Sequence, residues 1–542
     1  MKKRALLAVS IAISMLAACG SSGSGQAPAA TQAPAPAATQ AAAPAESAAG
    51  AAEAAAPAEA AAPAEAPAAG MDVKEDLVIG VKAQITTMDI QSVSNVAHNH
   101  PFRLTHANLV TMNLDTGEIY PDLAESWEWK DDTTIEFKLR DNAKFHNDEP
   151  VTAQDVVYTF ERGREGVASK NKMKPAKEVT AVDEHTVRMV LESPNVDWLD
   201  TLALPVFGIL SEKACKDDPD KGYMIGAGPW VVDEFVSKDY LKLKRFEDYF
   251  EGPVPTKTLT LRYIPEASAR LIALQTGEID VCENPDTIEV DTVRNDPNLT
   301  LIETAGTTCQ FFGFNCKDEL TSNKLLRQAI ACAVNKQDIM DATVNGYGQI
   351  ADSFWGPTQF GYIENFETWP YDIEKAKELM KEAGLENGCE LEITVASGPR
   401  VVTAQILQAE LKEIGVNVKI NEVDSAALTS ITNEAKHQGL VYGLSFNTAG
   451  DEVRRIYGDG SSTNRSHYHN DRVIELMDEA IGEFDEAKRK EEYKELQEIA
   501  KDDIPVIPLY YELNFWAVNK NLGGVTWYKS ANTDFSNVYV TK

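Results

Sequence analysis

The stretch from Leu391 to Val423 restricts the fold more than any other. Leu391–Val395 reads as a strand, Val402–Ile414 as a helix stopped by Gly415, and Val416–Val423 as a second strand. Strands joined through a helix of that length pair in parallel, with the helix crossing one face of the sheet. An earlier run of the same kind comprises strand Leu259–Ile264, helix Ala267–Thr276 and strand Ile279–Cys282, and Gly277 suits the left-handed turn that ends the helix. These units imply α/β architecture, and a length of 542 residues implies more than one packed unit.

Other segments have the period of two expected of antiparallel strands. Trp127 and Trp129 sit two apart, Asp131-Asp132 mark a turn, and Ile135, Phe137 and Leu139 alternate with Glu136, Lys138 and Arg140: a hairpin with one buried face. A second hairpin turns at Asp183-Glu184 and places Val187, Met189 and Leu191 on one side. Beyond Pro150, Thr152 precedes Asp155 as in a capping box, and Ala153, Val156, Val157 and Phe160 recur at helical spacing. A second region begins near Thr307. It opens with the strand Cys309–Cys316, two short helices capped by Ser322 and Asn335, and a helix opened by Asp372 and closed by Gly384. Two acidic-basic helices cover about Asp471–Lys501, and strands from Ile504 to Tyr511 and on through Val518 return to the first region.

The N-terminus is of another kind. Lys2, Lys3 and Arg4 precede an apolar run from Ala5 to Ala18, the plan of an export signal and too short for a permanent membrane-spanning helix. From Gly20 to about Gly70 the chain is Ala, Pro, Glu, Ser and Gln, which cannot bury enough surface to offset its conformational entropy; it reads as an extended stalk. A formal net charge of -33 makes nucleic acid a poor partner. Six cysteines follow Cys19, namely Cys215, Cys282, Cys309, Cys316, Cys332 and Cys389, and their spacing selects no pairing, so free buried thiols are at least as well supported as disulfides. There is no Gly-x-Ser-x-Gly elbow, His-Glu-x-x-His or phosphate-cradling loop, and no enzyme is expected.

Three strings carry a resemblance. They are the entry Asp122-Leu-Ala-Glu-Ser-Trp127, the strand Phe137-Lys-Leu-Arg140, and the turn and helix start from Lys144 to Val157. Together they resemble the signature of the family-5 extracellular solute-binding proteins, the peptide- and nickel-binding lipoproteins of ABC importers. Ala273–Val281, Arg327-Gln-Ala-Ile330, Thr87-Met88-Asp89 and Gly226–Pro229 resemble further elements of that family, and the likeness runs from about Leu77 to about Trp527. It implies a two-lobed α/β fold of the periplasmic-binding-protein type (type II, cluster C), with a discontinuous first lobe carrying an inserted subdomain. The expected division is 1–19 signal, 20–72 stalk, 73–116 with 226–306 and 508–542 first lobe, 117–225 insert, and 307–507 second lobe. Leu16-Ala17-Ala18-Cys19-Gly20 resembles a lipobox, which implies a lipid on Cys19 and a tether to the outer face of the cytoplasmic membrane. The implied function is capture of a small solute, most readily a di- or oligopeptide, for the transmembrane subunits of an ABC permease. The protein is expected to act as a monomer without cofactor. Nickel, haem or another metal complex in the same fold, or a sensing or adhesion lipoprotein without a permease, are the alternatives.

The resemblance also places the ligand site. Its amine-recognising carboxylate falls after the last parallel strand, where Asp451 is the candidate, an acceptor-only group suited to an ammonium. Phe446 or Asn447 stands where the family has an aromatic residue, Arg454 could take a carboxylate with two parallel bonds, and Tyr468 occupies the family's histidine-tyrosine position. Trp355, beside Gly356-Pro357, is expected as an exposed aromatic wall. His98, His100 and His106 lack clear ligand spacing, and His467 and His469, though spaced as a His-x-His clip, read more plainly as lining of the second lobe, so no metal site is expected.

Overall fold

A computed structural model describes residues 67, 71–93, 98–353, 355–356, 359–366, 368–445, 449–528 and 533–542, with 307 and 449–452 described by backbone alone. All belong to one compact unit, 56–542. The export signal, Cys19 and the stalk as far as residue 66 lie outside the described residues.

Two long antiparallel strands, Leu299–Phe314 and Val506–Asn519, form the middle of the main sheet and are called the crossing strands below. The second is one strand where the sequence suggested two, and the first starts eight residues before Thr307. Both are buried on two faces over part of their length: in the first, Phe311 and Cys309 enter one core and Phe312 and Phe314 another, so the stretch Phe311–Phe314 carries apolar residues on both faces.

On one flank Val281–Glu283, Asp76–Val81 and Thr258–Tyr263 are mutually parallel and run in the same sense as the first crossing strand. On the other, Gly439–Ser445, Cys389–Ala396 and Val416–Val423 are parallel to one another and opposed to it. The carboxyl ends of both sets therefore point at the same place, the middle of the crossing strands. Crossover helices connect them, Ala267–Gln275 on the first flank and Arg400–Leu411 on the second, where Gly415 takes φ 83° before the next strand.

A separate antiparallel sheet has Ala124–Asp131, Thr134–Leu139, Thr186–Leu191 and Ala176–Asp183 in that spatial order. The helix Ala153–Gly163 covers it, entered through the reciprocal Thr152 and Asp155 capping box. Its core gathers Phe160, Trp198 and Phe207, whose ring centroids lie 5.6 to 6.3 Å apart. Rings buried this way contribute roughly 2–3 kcal/mol each.

One local expectation is corrected here. The helix Lys324–Ala333 is capped by Asn323, whose Oδ1 accepts from the Leu325 and Leu326 amides, while Ser322 donates its hydroxyl to Glu319. Gly226 and Gly228 are required by packing: a Cβ there would lie 2.0 Å and 2.7 Å from the Thr105 and Leu104 carbonyl oxygens. The six described cysteines are free thiols.

Candidate functional site

In sheets built from crossovers, ligands bind outside the carboxyl ends of parallel strands, because helix starts and loop amides gather there. In this protein two sets of such ends converge, and the strand pairing is disturbed where they meet. The ladder between the crossing strands slips after Ala305 and resumes at Cys309. Gly306 sits at that slip because any Cβ would stand 2.1 Å from the Glu512 carbonyl oxygen.

Gln310, 3% exposed, is the hub of the polar groups gathered there. Its Nε2 donates to Glu512 Oε1 at 2.7 Å, and its Oε1 accepts from Arg400 Nε at 2.8 Å. One amide thus holds a carboxylate on one side and a guanidinium on the other. Arg400 is the first residue of its helix, and among the described residues its two terminal nitrogens have no hydrogen bond. Gly443 makes room for it, since a Cβ would lie 2.8 Å from Nη2. Beside it Thr308 and Ser445 share a hydroxyl hydrogen bond of 2.7 Å, and Arg455 Nη1 donates to the Ser445 carbonyl at 2.8 Å. On the facing flank Asn284, at φ 43°, accepts the Phe515 amide on Oδ1 at 3.1 Å and donates its own amide to the Phe515 carbonyl at 2.8 Å. Glu283 accepts the Lys82 amide at 2.8 Å. His100 meets Trp516 edge-on at 5.8 Å, and burial lowers its imidazole pKa.

Of the residues singled out in the sequence, Phe446 and Asn447 lie outside the described residues, and so does the Asp451 side chain. The Asp451 backbone is in the helix Ala449–Tyr457, soon after the strand that ends at Ser445. Arg454 turns toward the next helix, pairing with Asp478 at 2.6 Å and donating to the Met477 carbonyl at 3.2 Å. Trp355 is not exposed as its Gly-Pro neighbourhood suggested: at 1% exposure it packs in the second region's core, 5.7 Å from the Tyr493 ring. Tyr468 is also buried; its hydroxyl donates to Asp503 at 2.6 Å and burial pushes its pKa up. His467 donates to the Thr432 carbonyl, His437 to that of Arg465, and His469 stands between Asp459 and Asp471. Among the described residues no group of three or more His, Cys, Asp or Glu could hold a metal ion. None of their helices is long and apolar enough to cross a membrane.

Arg400, Gln310 and Glu512 were missed. Gln310 directly precedes the apolar run Phe311-Phe312, Glu512 follows the apolar run Leu509–Tyr511, and Arg400 opens a crossover helix; these are signals that a search for polar residues beside buried runs would catch.

Residues 118–465 match the family described as bacterial extracellular solute-binding proteins, family 5 Middle. The chain is 27% identical over 474 residues to heme-binding protein A of Haemophilus influenzae, covering 80% of this chain and 86% of that one. It is also 27% identical over 471 residues to the dipeptide-binding protein of Escherichia coli, covering 80% and 88%. Among solved structures, the periplasmic binding protein DppA of Helicobacter pylori in complex with the peptide STSA superposes with a TM-score of 0.74 at 26% identity, covering 86% of this chain and 98% of that one. HbpA2 of Haemophilus parasuis gives a TM-score of 0.77 at 25% identity, covering 86% and 99%.

Proposed function

The chain belongs to the bacterial extracellular solute-binding proteins, family 5, and from that premise we propose that it captures a short peptide and delivers it to an ABC permease without chemical change. The relatives named for dipeptide binding support this ligand class. The observation that carries it is the Arg400–Gln310–Glu512 arrangement, which presents a guanidinium and a carboxylate at the convergence of the parallel strands. A peptide has the complementary pair of termini: its carboxylate takes the two open Arg400 nitrogens, and its ammonium is received by Asp451 together with Glu512. Phe446 and Asn447 are assigned to the ligand's approach by their place in the sequence, between Ser445 and Asp451.

Binding of this kind needs two lobes that close on the solute. We assign 73–116, 226–306 and 508–542 to the first lobe, 117–225 to its insert and 307–507 to the second. Separate buried clusters support the division, one drawn from Leu77 to Leu104 with Trp516 to Val540, another from Phe312 to Ile507, which Leu509 and Tyr510 at the start of the returning segment join. The protein acts as a monomer without cofactor, tethered through lipid on Cys19. Haem or a metal complex is a weaker ligand, since His437 and His467 already donate to backbone carbonyls.

Calorimetry with dialanine and with its C-terminal amide tests the reading. The free acid is expected to bind and the amide to bind more weakly by about 2 kcal/mol, the worth of a charge-assisted pair. Equal affinity for both, or none for either alongside mass spectra of purified protein without peptide, would sink it.

A further inference from the structure

Away from the crevice, the inserted sheet meets the second region at a corner. The segment between the strand Thr186–Leu191 and the helix Trp198–Leu202 lies against the turn joining the helices Asp471–Gly482 and Glu486–Asp503. The Val196 amide donates to the Ile481 carbonyl at 3.0 Å. Arg489 Nη1 reaches Asp197 Oδ1 at 3.5 Å, with both side chains only 14% exposed. Trp129 of the inserted sheet meets Phe484 edge-on, the centroids 6.2 Å apart.

Two features make this corner separable. Each side has its own core: Trp198 is buried within the insert and Tyr493 within the second region, so parting them exposes little apolar surface. The grip itself is half open to solvent, since Phe484 is 50% exposed even while touching Trp129. Arg489 is held differently from an arginine that only serves the fold. Its guanidinium stacks 3.8 Å over Phe360 in its own region, its Nε is buried with no hydrogen-bond partner among the described residues, and its ion pair crosses to the insert.

We propose that this corner is a closure latch, engaged with or without solute: the grip of Phe484 and Arg489 on Trp129 and Asp197 holds the halves together, and so sets how long a captured solute is held. The inference rests on the reading that the protein closes on a ligand. Arg489 touches no solute in this scheme and acts as a positioning residue. Tightening the closed form at a distance slows escape more than it speeds entry.

The test uses the full chain with Phe484→Ser, Arg489→Met, and Arg489→Met combined with Asp197→Asn. Val196 amide exchange in the ligand-free protein is expected to rise about 10-fold in each single variant, as for a local opening. Dissociation of dialanine should quicken about 5-fold with the association rate and thermal midpoint little changed. The double variant should be no worse than Arg489→Met alone, because the pair acts as one contact. Unchanged Val196 exchange, additive effects, or a midpoint that falls in step with faster exchange would each overturn the latch. If dialanine fails to bind, that counts against the peptide reading alone, since the Val196 measurement needs no ligand.

Discussion

Around Arg327 every arm of the guanidinium is engaged. Nε donates to the Asp503 and Ile504 carbonyls, Nη1 to those of Thr321 and Ser322, and Nη2 to Asp503 again. The side chain is 5% exposed and ties the helix Lys324–Ala333 to the end of the helix Glu486–Asp503. Arg400 belongs to the same half of the main sheet, yet among the described residues it makes one hydrogen bond, to Gln310. The chemistry is identical and the use is opposite. A donor set closed on carbonyls holds elements together, whereas one left open at the ends of parallel strands needs an acceptor from outside.

The hardest attempt to break this contrast is Arg327→Met. It strands four carbonyl groups that had partners, and denaturant titration should show a loss of about 3–5 kcal/mol. A loss under about 1 kcal/mol would mean that water replaces the arginine at no cost and that the two residues are not different in kind.

Arg400→Met should do the reverse. Its thermal midpoint should stay within about 2 °C of the parent, because a single part-buried hydrogen bond is lost in a large chain, while dialanine affinity falls by about 2 kcal/mol, or about 30-fold. A fall in stability with affinity intact would move Arg400 into the class of Arg327.

The smallest effect sharpens the comparison along one helix, since Glu410 stands near the far end of the helix that Arg400 opens. Its carboxyl accepts the Asn335 amide at 3.2 Å on one oxygen and has no partner on the other; burial pushes its pKa up to about 8. An acid raised in the folded state keeps its proton there while the unfolded chain has released it. The folded state is thus favoured below the ordinary glutamate range, and that contribution is lost as pH rises toward 8. Thermal midpoints should fall between pH 5 and 8 by an amount that Glu410→Gln reduces. An identical slope in the variant would show that Glu410 ionises freely. In contrast, burial holds the His106 and His146 imidazoles down to about 3 and about 4, so they favour the folded state increasingly as pH rises to about 6.5.

Much of the fold was legible because it is local. The hairpins at Asp131-Asp132 and Asp183-Glu184, the Thr152 box and the crossover closed by Gly415 each depend on residues within one element or its nearest neighbour. The Ser322 cap failed by one residue, since the choice between adjacent polar side chains depends on which oxygen reaches the first free amides. Trp355 failed for a larger reason: a loop's composition does not say which face of it a helix will cover, and here Tyr493 covers the ring. The polar hub was missed because residues 310, 400 and 512 are brought together by the pairing register of three different strands and a helix start.

The sequence by itself determined which segments are strands and helices, that some strands must be parallel, and, through the resemblance, the family. Those properties follow from side-chain periodicity and turn chemistry, which act over a few residues. Only the tertiary structure decided that both sets of parallel strands aim their carboxyl ends at one disturbed place, and that Arg400 keeps open donors there while Arg327 keeps none. The reason is that a donor's role depends on what surrounds it, and for these arginines the surroundings are supplied by distant parts of the chain.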